Sequence, residues 1–260
     1  MVPRRAVFDP TKVGVYHCYS QCVRQLMLFE DLFEPDLPKI KRQNGKRKRM
    51  VEEELRRVAS LMGFEVLDYV VMGNHLHLII RNRPDVARTW SNREAGRRWW
   101  YLCPRDRNKD GSPAECPKEY LDEFESDPVR VQEIRERLSD LGWFMWFVKG
   151  PIARMANQED GTRGHFFAGR YKCKRLEDEG ALLACSMYTA LNSVRAGITD
   201  NPEEYQFSSL SARIAGQMRR TQRAMGMEVP GEDPDNWLAS FFLDERAAVA
   251  DESGDPFSNV

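Results

Sequence analysis

Residues 67–80 read Leu-Asp-Tyr-Val-Val-Met-Gly-Asn-His-Leu-His-Leu-Ile-Ile. Two apolar runs rich in β-branched and aromatic residues meet at Gly73-Asn74, a turn signal, so the stretch predicts an antiparallel hairpin. Strand side chains alternate between faces. Leu76, Leu78 and Ile80 therefore share one face, and His75 and His77 share the other. Two readings of the histidine pair stand side by side. Two imidazoles on adjacent same-face positions can share a divalent cation, but they supply only two of the ligands that such a site needs. Equally, they can be half-buried polar residues at the start of a strand.

The flanking chain places this hairpin in an α+β order. Val13–Arg24 alternates aromatic and β-branched residues and predicts a first strand. A dense basic run from Lys39 to Arg49 follows. Beyond it, Val51, Leu55, Val58 and Met62 recur at helical spacing up to Gly63. Cations at a helix N-terminus oppose the helix dipole, so the run points to an anionic partner. Residues 84–140 read as an irregular, helical insertion, with Val129–Leu138 as a charged helix. Leu141–Val148 is intensely apolar and predicts a core-facing helix with a break or kink at Gly150-Pro151; a base-stacking platform is the alternative. Residues 166–176 predict a fourth strand with Arg170, Lys172 and Lys174 on one face. Residues 177–197 predict a helix, acidic at its start and closed by Gly197. From residue 208 the periodicity is weak, and the last ten residues read as unstructured.

Charge and cysteine usage narrow the setting. The net charge of −1 conceals an acidic tail, because residues 230–260 hold eight acids and one arginine. The remainder carries 38 basic and 32 acidic side chains, which suits a protein that meets nucleic acid as well as one with ordinary solvated faces. There is no run of about 18 apolar residues and no signal-peptide pattern at the N-terminus, so a cytoplasmic protein without a membrane span is expected. The six cysteines lack paired C-x-x-C spacing and are expected to be reduced thiols rather than zinc ligands.

On a helical wheel, Ala184, Tyr188, Asn192 and Arg195 form one stripe, while Leu183, Met187, Ala190 and Val194 form another that predicts the buried side. A phenol, a carboxamide and a guanidinium can thus face one place. Taken singly, Tyr188 reads as an aromatic at a core margin, Asn192 as a helix-end residue and Arg195 as a solvated charge. Taken together, Asn74-His75-Leu76-His77 and the downstream Tyr188-Thr-Ala-Leu-Asn192-Ser-Val-Arg195-Ala-Gly197 resemble the single-tyrosine HUH transposases. The similarity is to the REP-associated tyrosine transposase group, whose pattern is N-H-x-H followed by Y-x-x-x-N-P-V-R-A-G. It extends to Val15-Tyr-His-Cys, Asn157-Gln-Glu-Asp-Gly161 and Gly169-Arg-Tyr-Lys172, and covers about residues 13–210. Ser193 stands where the family has proline, and Gly73 where proline often precedes the Asn-His pair.

The resemblance implies a ferredoxin-like antiparallel four-stranded sheet with helices on one face, plus a helical insertion at 84–140. It implies one catalytic domain over residues 1–210 and a C-terminal extension over 211–260. It further implies a metal-dependent enzyme that cleaves and rejoins single-stranded, hairpin-forming DNA through a 5′-phosphotyrosine. Tyr188 would be the nucleophile, and His75 and His77, with Asn192 as third ligand, would hold Mg²⁺ or Mn²⁺. Arg195, Arg170 and Lys172 would hold phosphates, and Arg24, Lys46, Arg47, Lys48 and Arg49 would extend the DNA contact. The protein would act as a monomer or homodimer. His17 and His165 could be further ligands, but are expected rather to pack or to face solvent. The alternative is a nucleic-acid-binding protein of the same fold that has lost the chemistry.

Overall fold

The computed structural model describes residues 7–30 and 45–242. Four antiparallel strands form one sheet: β1 (Gly14–Gln21), β2 (Phe64–Val71), β3 (His75–Asn82) and β4 (Lys172–Leu176). Their order across the sheet is β2-β3-β1-β4, the ferredoxin-like arrangement. Between β1 and β2 runs α1 (Lys46–Leu61), and before β4 comes α6 (Leu141–Glu159). The fold is α+β.

Alternation along the strands sorts the two sheet faces. Tyr16, Cys18, Leu76, Leu78 and Ile80 point into the main core, where Val51, Leu55 and Val58 of α1 and Phe144, Val148 and Ile152 of α6 meet them. Each fully buried aliphatic side chain there contributes about 1.5–3 kcal/mol. The other face is not bare. There α7 (Glu179–Ala190) lays Leu182, Ala181 and Cys185 over Ile79, Leu67 and Leu176. Helices therefore cover both faces, α1 and α6 on one and α7 on the other, where the sequence suggested one.

The insertion is four helices: α2 (Pro84–Thr89), α3 (Asn92–Leu102), α4 (Lys118–Glu125) and α5 (Pro128–Leu138). Ser91 and Asp127 cap α3 and α5 by accepting from the amides of Glu94 and Arg130 at 3.1 and 3.0 Å. After α7, Leu191 separates it from α8 (Asn192–Arg195).

Four expectations need correction. The fourth strand starts at Lys172, not 166, because Phe166 and Phe167 turn inward onto Phe29 and hold the preceding chain irregular. No break occurs at Pro151: α6 runs through it, and buried Val148, Ile152 and Ala156 on either side offset the missing hydrogen bond. The buried stripe of α7 is not the one expected, since Leu183 and Met187 are exposed while Leu182 and Thr189 face the sheet. Weak periodicity after 208 conceals α9 (Ser209–Ala224) and a return segment that docks beside β2. Tyr69 N donates to Ser209 Oγ at 3.1 Å, Val71 N to Phe207 O at 3.0 Å and Ala239 N to Val66 O at 3.0 Å, so this chain covers the free edge of β2. Within α9 the close approach of Asp235 leaves room only for glycine at 216, where a Cβ would lie 1.8 Å from its Oδ1. The last ten residues lie outside the described residues. All six cysteines are free thiols. Among the described residues no helix is long and apolar enough to cross a membrane.

Candidate active site

The strand register assembles a row of polar side chains on the α7 face. Tyr19 of β1 pairs with His77 of β3 and with Lys172 of β4. Two residues away, His17 pairs with Ile79 and Lys174, while Gln21 pairs with His75. Same-face alternation then brings His17, Tyr19, His75, His77, Lys172 and Lys174 onto one surface. The rings touch: His75 and His77 lie 5.1 Å apart at 89°, and Tyr19 lies 5.7 Å from His75 and 4.8 Å from His77. His17 stacks on His77 at 5.1 Å with only 10° between the planes, and its Nε2 is 2.8 Å from His77 Nδ1. His17 therefore packs within the cluster itself and does not face solvent. The signal lay in the alternation of Val15-Tyr16-His17-Cys18-Tyr19. His165 is exposed.

Tyr188 is delivered by α7, whose first turn is capped by Asp178 accepting from Ala181 N at 2.7 Å. Its ring stands edge-on to His77 at 5.4 Å and to His17 at 6.5 Å, and 41% of the residue remains exposed. The helix is pinned from beneath, because Ser186 Oγ donates to the Asp68 carboxylate on β2. Asn192, one turn beyond the tyrosine, donates to Tyr188 O at 2.8 Å, and its side chain is within hydrogen-bonding reach of the His75 ring. The Arg195 guanidinium lies 5.5 Å from the Tyr188 ring, and the Lys172 ammonium 5.5 Å from the Tyr19 ring.

Burial favours neutral imidazoles here. It pushes His77 down to about 3, with the neighbouring His17 and His75 adding to the effect. His75 is lowered chiefly by burial, with Asn192 opposing, and His17 is lowered by burial and by Lys174. Neutral rings keep their lone pairs at pH 7, which metal ligation requires. The donor set suits a divalent cation in one further respect. Asn74 Oδ1 lies 2.6 Å from His75 Nδ1, and His17 occupies His77 Nδ1, so both Nε2 atoms are left for a ligand. Among the described residues no group of three or more His, Cys, Asp or Glu side chains is placed to hold a metal ion. A cation here would draw its remaining ligands from neutral oxygens, Asn192 among them, and from water or phosphate.

The basic residues divide. Arg195, Lys172, Arg170 and Arg24 are exposed, with Arg195 and Lys172 at the tyrosine–histidine cluster. Arg49 is exposed on α1 and Lys46 pairs with Glu159 at the surface. Arg47 and Lys48 point inward. Arg47 is 2% exposed, with its Nε 2.9 Å from Glu159, its guanidinium on Asp160 and Nη1 donating to Leu28 O at 2.8 Å. Lys48 pairs with Glu30 at 2.7 Å beside the rings of Tyr205 and Phe207. The anionic partners of these two residues lie within the chain, and both side chains are buried against them. Lys39, Lys41 and Arg42 lie outside the described residues.

No family model and no curated protein matches this sequence. A solved structure of a REP-associated tyrosine transposase bound to a REP hairpin aligns with 94% of this chain and 99% of that one, at 12% identity and a TM-score of 0.43.

Proposed function

We propose that the chain is a metal-dependent DNA nickase and strand transferase that acts on single-stranded, hairpin-forming DNA through Tyr188. The observation that carries this reading is the meeting of Tyr188 with His77 at 5.4 Å, since nucleophile and ligand pair come from opposite halves of the chain. The motif resemblance set out above supports it. His75, His77 and Asn192 would hold Mg²⁺ or Mn²⁺, which when bound supplies a Lewis acid for the scissile phosphate.

The remaining work falls to side chains. Arg195 and Lys172 flank the aromatic cluster and bind phosphate oxygens, which brings an anionic strand against an otherwise neutral site. The exposed edge of Tyr188 lets its oxygen reach phosphorus in line with the 3′ leaving oxygen. The phenolic O–H bond and the P–O3′ bond break, a P–O(Tyr188) bond forms, and the 3′ oxygen ends protonated as a free hydroxyl. Reversal by a different 3′-hydroxyl rejoins a strand. Arg24 and Arg170, exposed on the adjoining loops, extend the phosphate contact.

The test is to incubate the purified chain with labelled, hairpin-bearing single strands and Mn²⁺. A covalent protein–DNA adduct is expected, absent in Tyr188→Phe and in the presence of chelator. An adduct that persists in Tyr188→Phe overturns the reading. Metal-independent binding without any adduct, unchanged in His75→Ala, supports instead a DNA-binding protein that has lost the chemistry.

A further inference from the structure

The tight turn before His75 does more than reverse the chain. Asn74 stands between two fixed partners. Its Nδ2 donates to the carbonyl of Gln25 at 3.2 Å, and its Oδ1 lies 2.6 Å from His75 Nδ1. Its own carbonyl accepts from Cys22 N at 2.8 Å, tying the turn to the end of β1. The first contact orients the amide: with nitrogen toward a carbonyl, oxygen must face the ring. An amide oxygen only accepts, so the neutral His75 ring must carry its proton on Nδ1 and its lone pair on Nε2.

The Gln25 carbonyl is presented at a cost. Arg24 and Gln25 both sit in the left-handed region, at φ 52° and 57°, a conformation that side chains other than glycine seldom adopt. Neighbouring residues strained in this way persist where the surrounding structure over-determines them, and such strain gathers at functional sites. Here the turn over Val23–Gln25 is the element that aims a backbone carbonyl at Asn74. The other histidine differs. His77 Nδ1 meets His17 Nε2 at 2.8 Å, and either nitrogen of that pair can be the donor. At His75 the Gln25–Asn74 chain sets an oriented acceptor against Nδ1, and the Asn192 side chain, also within hydrogen-bonding reach of the ring, is the partner it competes with.

We propose that Asn74 is a positioning residue that holds His75 in the Nδ1–H tautomer, with the strained Arg24–Gln25 turn fixing the orientation of the Asn74 amide. This rests on the reading of His75 as a cation ligand for its purpose, but not for its test. Outer partners of this kind tune ligand orientation, and their loss lowers metal affinity by about 10–100-fold.

The decisive measurement is long-range ¹H–¹⁵N correlation on the metal-free, full-length chain near pH 7.5. His75 is expected to show a protonated Nδ1 and an unprotonated Nε2. Asn74→Leu should move the ring toward the Nε2–H form and weaken Mn²⁺ binding, measured by calorimetry, by about 10–100-fold. Asn74→Asp, which keeps an acceptor toward Nδ1, should retain the wild-type nitrogen pattern. A wild-type His75 protonated on Nε2, or an Asn74→Leu protein with unchanged tautomer and Mn²⁺ affinity, overturns the proposal. Absence of DNA cleavage with the tautomer pattern as expected would sink the enzymatic reading and leave this one standing.

Discussion

Asp68 is the point at which the tyrosine helix, the C-terminal helix and the sheet are joined, and its removal is a sharp test of how Tyr188 is held. The residue follows the register shift in β2 and is 5% exposed. Its carboxylate accepts from Ser186 Oγ of α7 and from Ser209 Oγ of α9. Burial raises its proton affinity, while the two hydroxyls and Arg213 oppose that rise. Two effects therefore compete in Asp68→Ala. Loss of two hydrogen bonds to a charged group costs about 1.5–3 kcal/mol each, and relief of the buried charge returns part of it. Ser209 is 1% exposed and keeps the Tyr69 backbone, donating to its carbonyl at 3.2 Å and accepting from its amide at 3.1 Å, so part of the loss at this hydroxyl is made good. The net loss should be about 3 kcal/mol, or a fall in Tm of roughly 6–12 °C for a chain of this size. Asp68→Asn removes the buried charge yet keeps an acceptor, and should lose less than about 1 kcal/mol. Urea and thermal unfolding of both variants, with a double-mutant cycle against Ser186→Ala, give the numbers. On the proposed nickase reading, Asp68→Ala should also cleave hairpin DNA more slowly well below its Tm, because α7 is released beneath Tyr188. If Asp68→Ala loses under about 1 kcal/mol, or if its effect simply adds to that of Ser186→Ala within about 0.5 kcal/mol, the carboxylate does not anchor the helix.

Glu52 accepts from Tyr69 Oη at 2.9 Å, and burial pushes its carboxyl up to about 7 against the pull of that hydrogen bond. The folded state therefore holds a proton that the unfolded state releases near the ordinary carboxylate value. The resulting stability is complete below about pH 4.5 and is lost as pH rises through 7. Glu52→Gln should flatten that decline and leave the protein more stable at pH 8 by on the order of 1–3 kcal/mol; identical slopes in urea titrations from pH 5 to 8 would count against it. Arg47→Met should destabilise by about 3–5 kcal/mol, because Glu159 and Asp160 lose a buried partner, yet leave the salt dependence of DNA binding unchanged. Lys172→Ala should do the reverse, lowering the slope of log K against log salt by about one with little loss of stability; equal slopes for the two variants would refute this division of the cations.

How far the sequence could be read depended on whether each signal was local. The histidine pair was legible because alternation along β3 needs no knowledge of the rest of the fold, and Leu76, Leu78 and Ile80 do enter the core opposite it. The stripe from Tyr188 to Arg195 was also local. Its orientation was not. Apolar residues surround α7, with Leu182 facing inward while Leu183 and Met187 face outward, so the wheel could not tell which side meets the sheet. The inward side is marked instead by Ser186 and Thr189, polar residues that the fold satisfies through Asp68 and through the Cys185 carbonyl at 2.9 Å. His17 was visible as part of an alternating strand, but its place beside His77 follows only from the register between β1 and β3, which no single segment encodes. The basic run shows the same limit most clearly. Four cations at a helix N-terminus do demand an anion. Arg47 meets that anion at Glu159, 112 residues later, in the last turn of α6. A charge cluster thus fixes the sign of its partner without showing whether the partner lies inside the chain. Only the packing of α1 against α6 separates the buried pair Arg47 and Lys48 from the exposed Arg195 beside Tyr188 and Lys172 beside Tyr19.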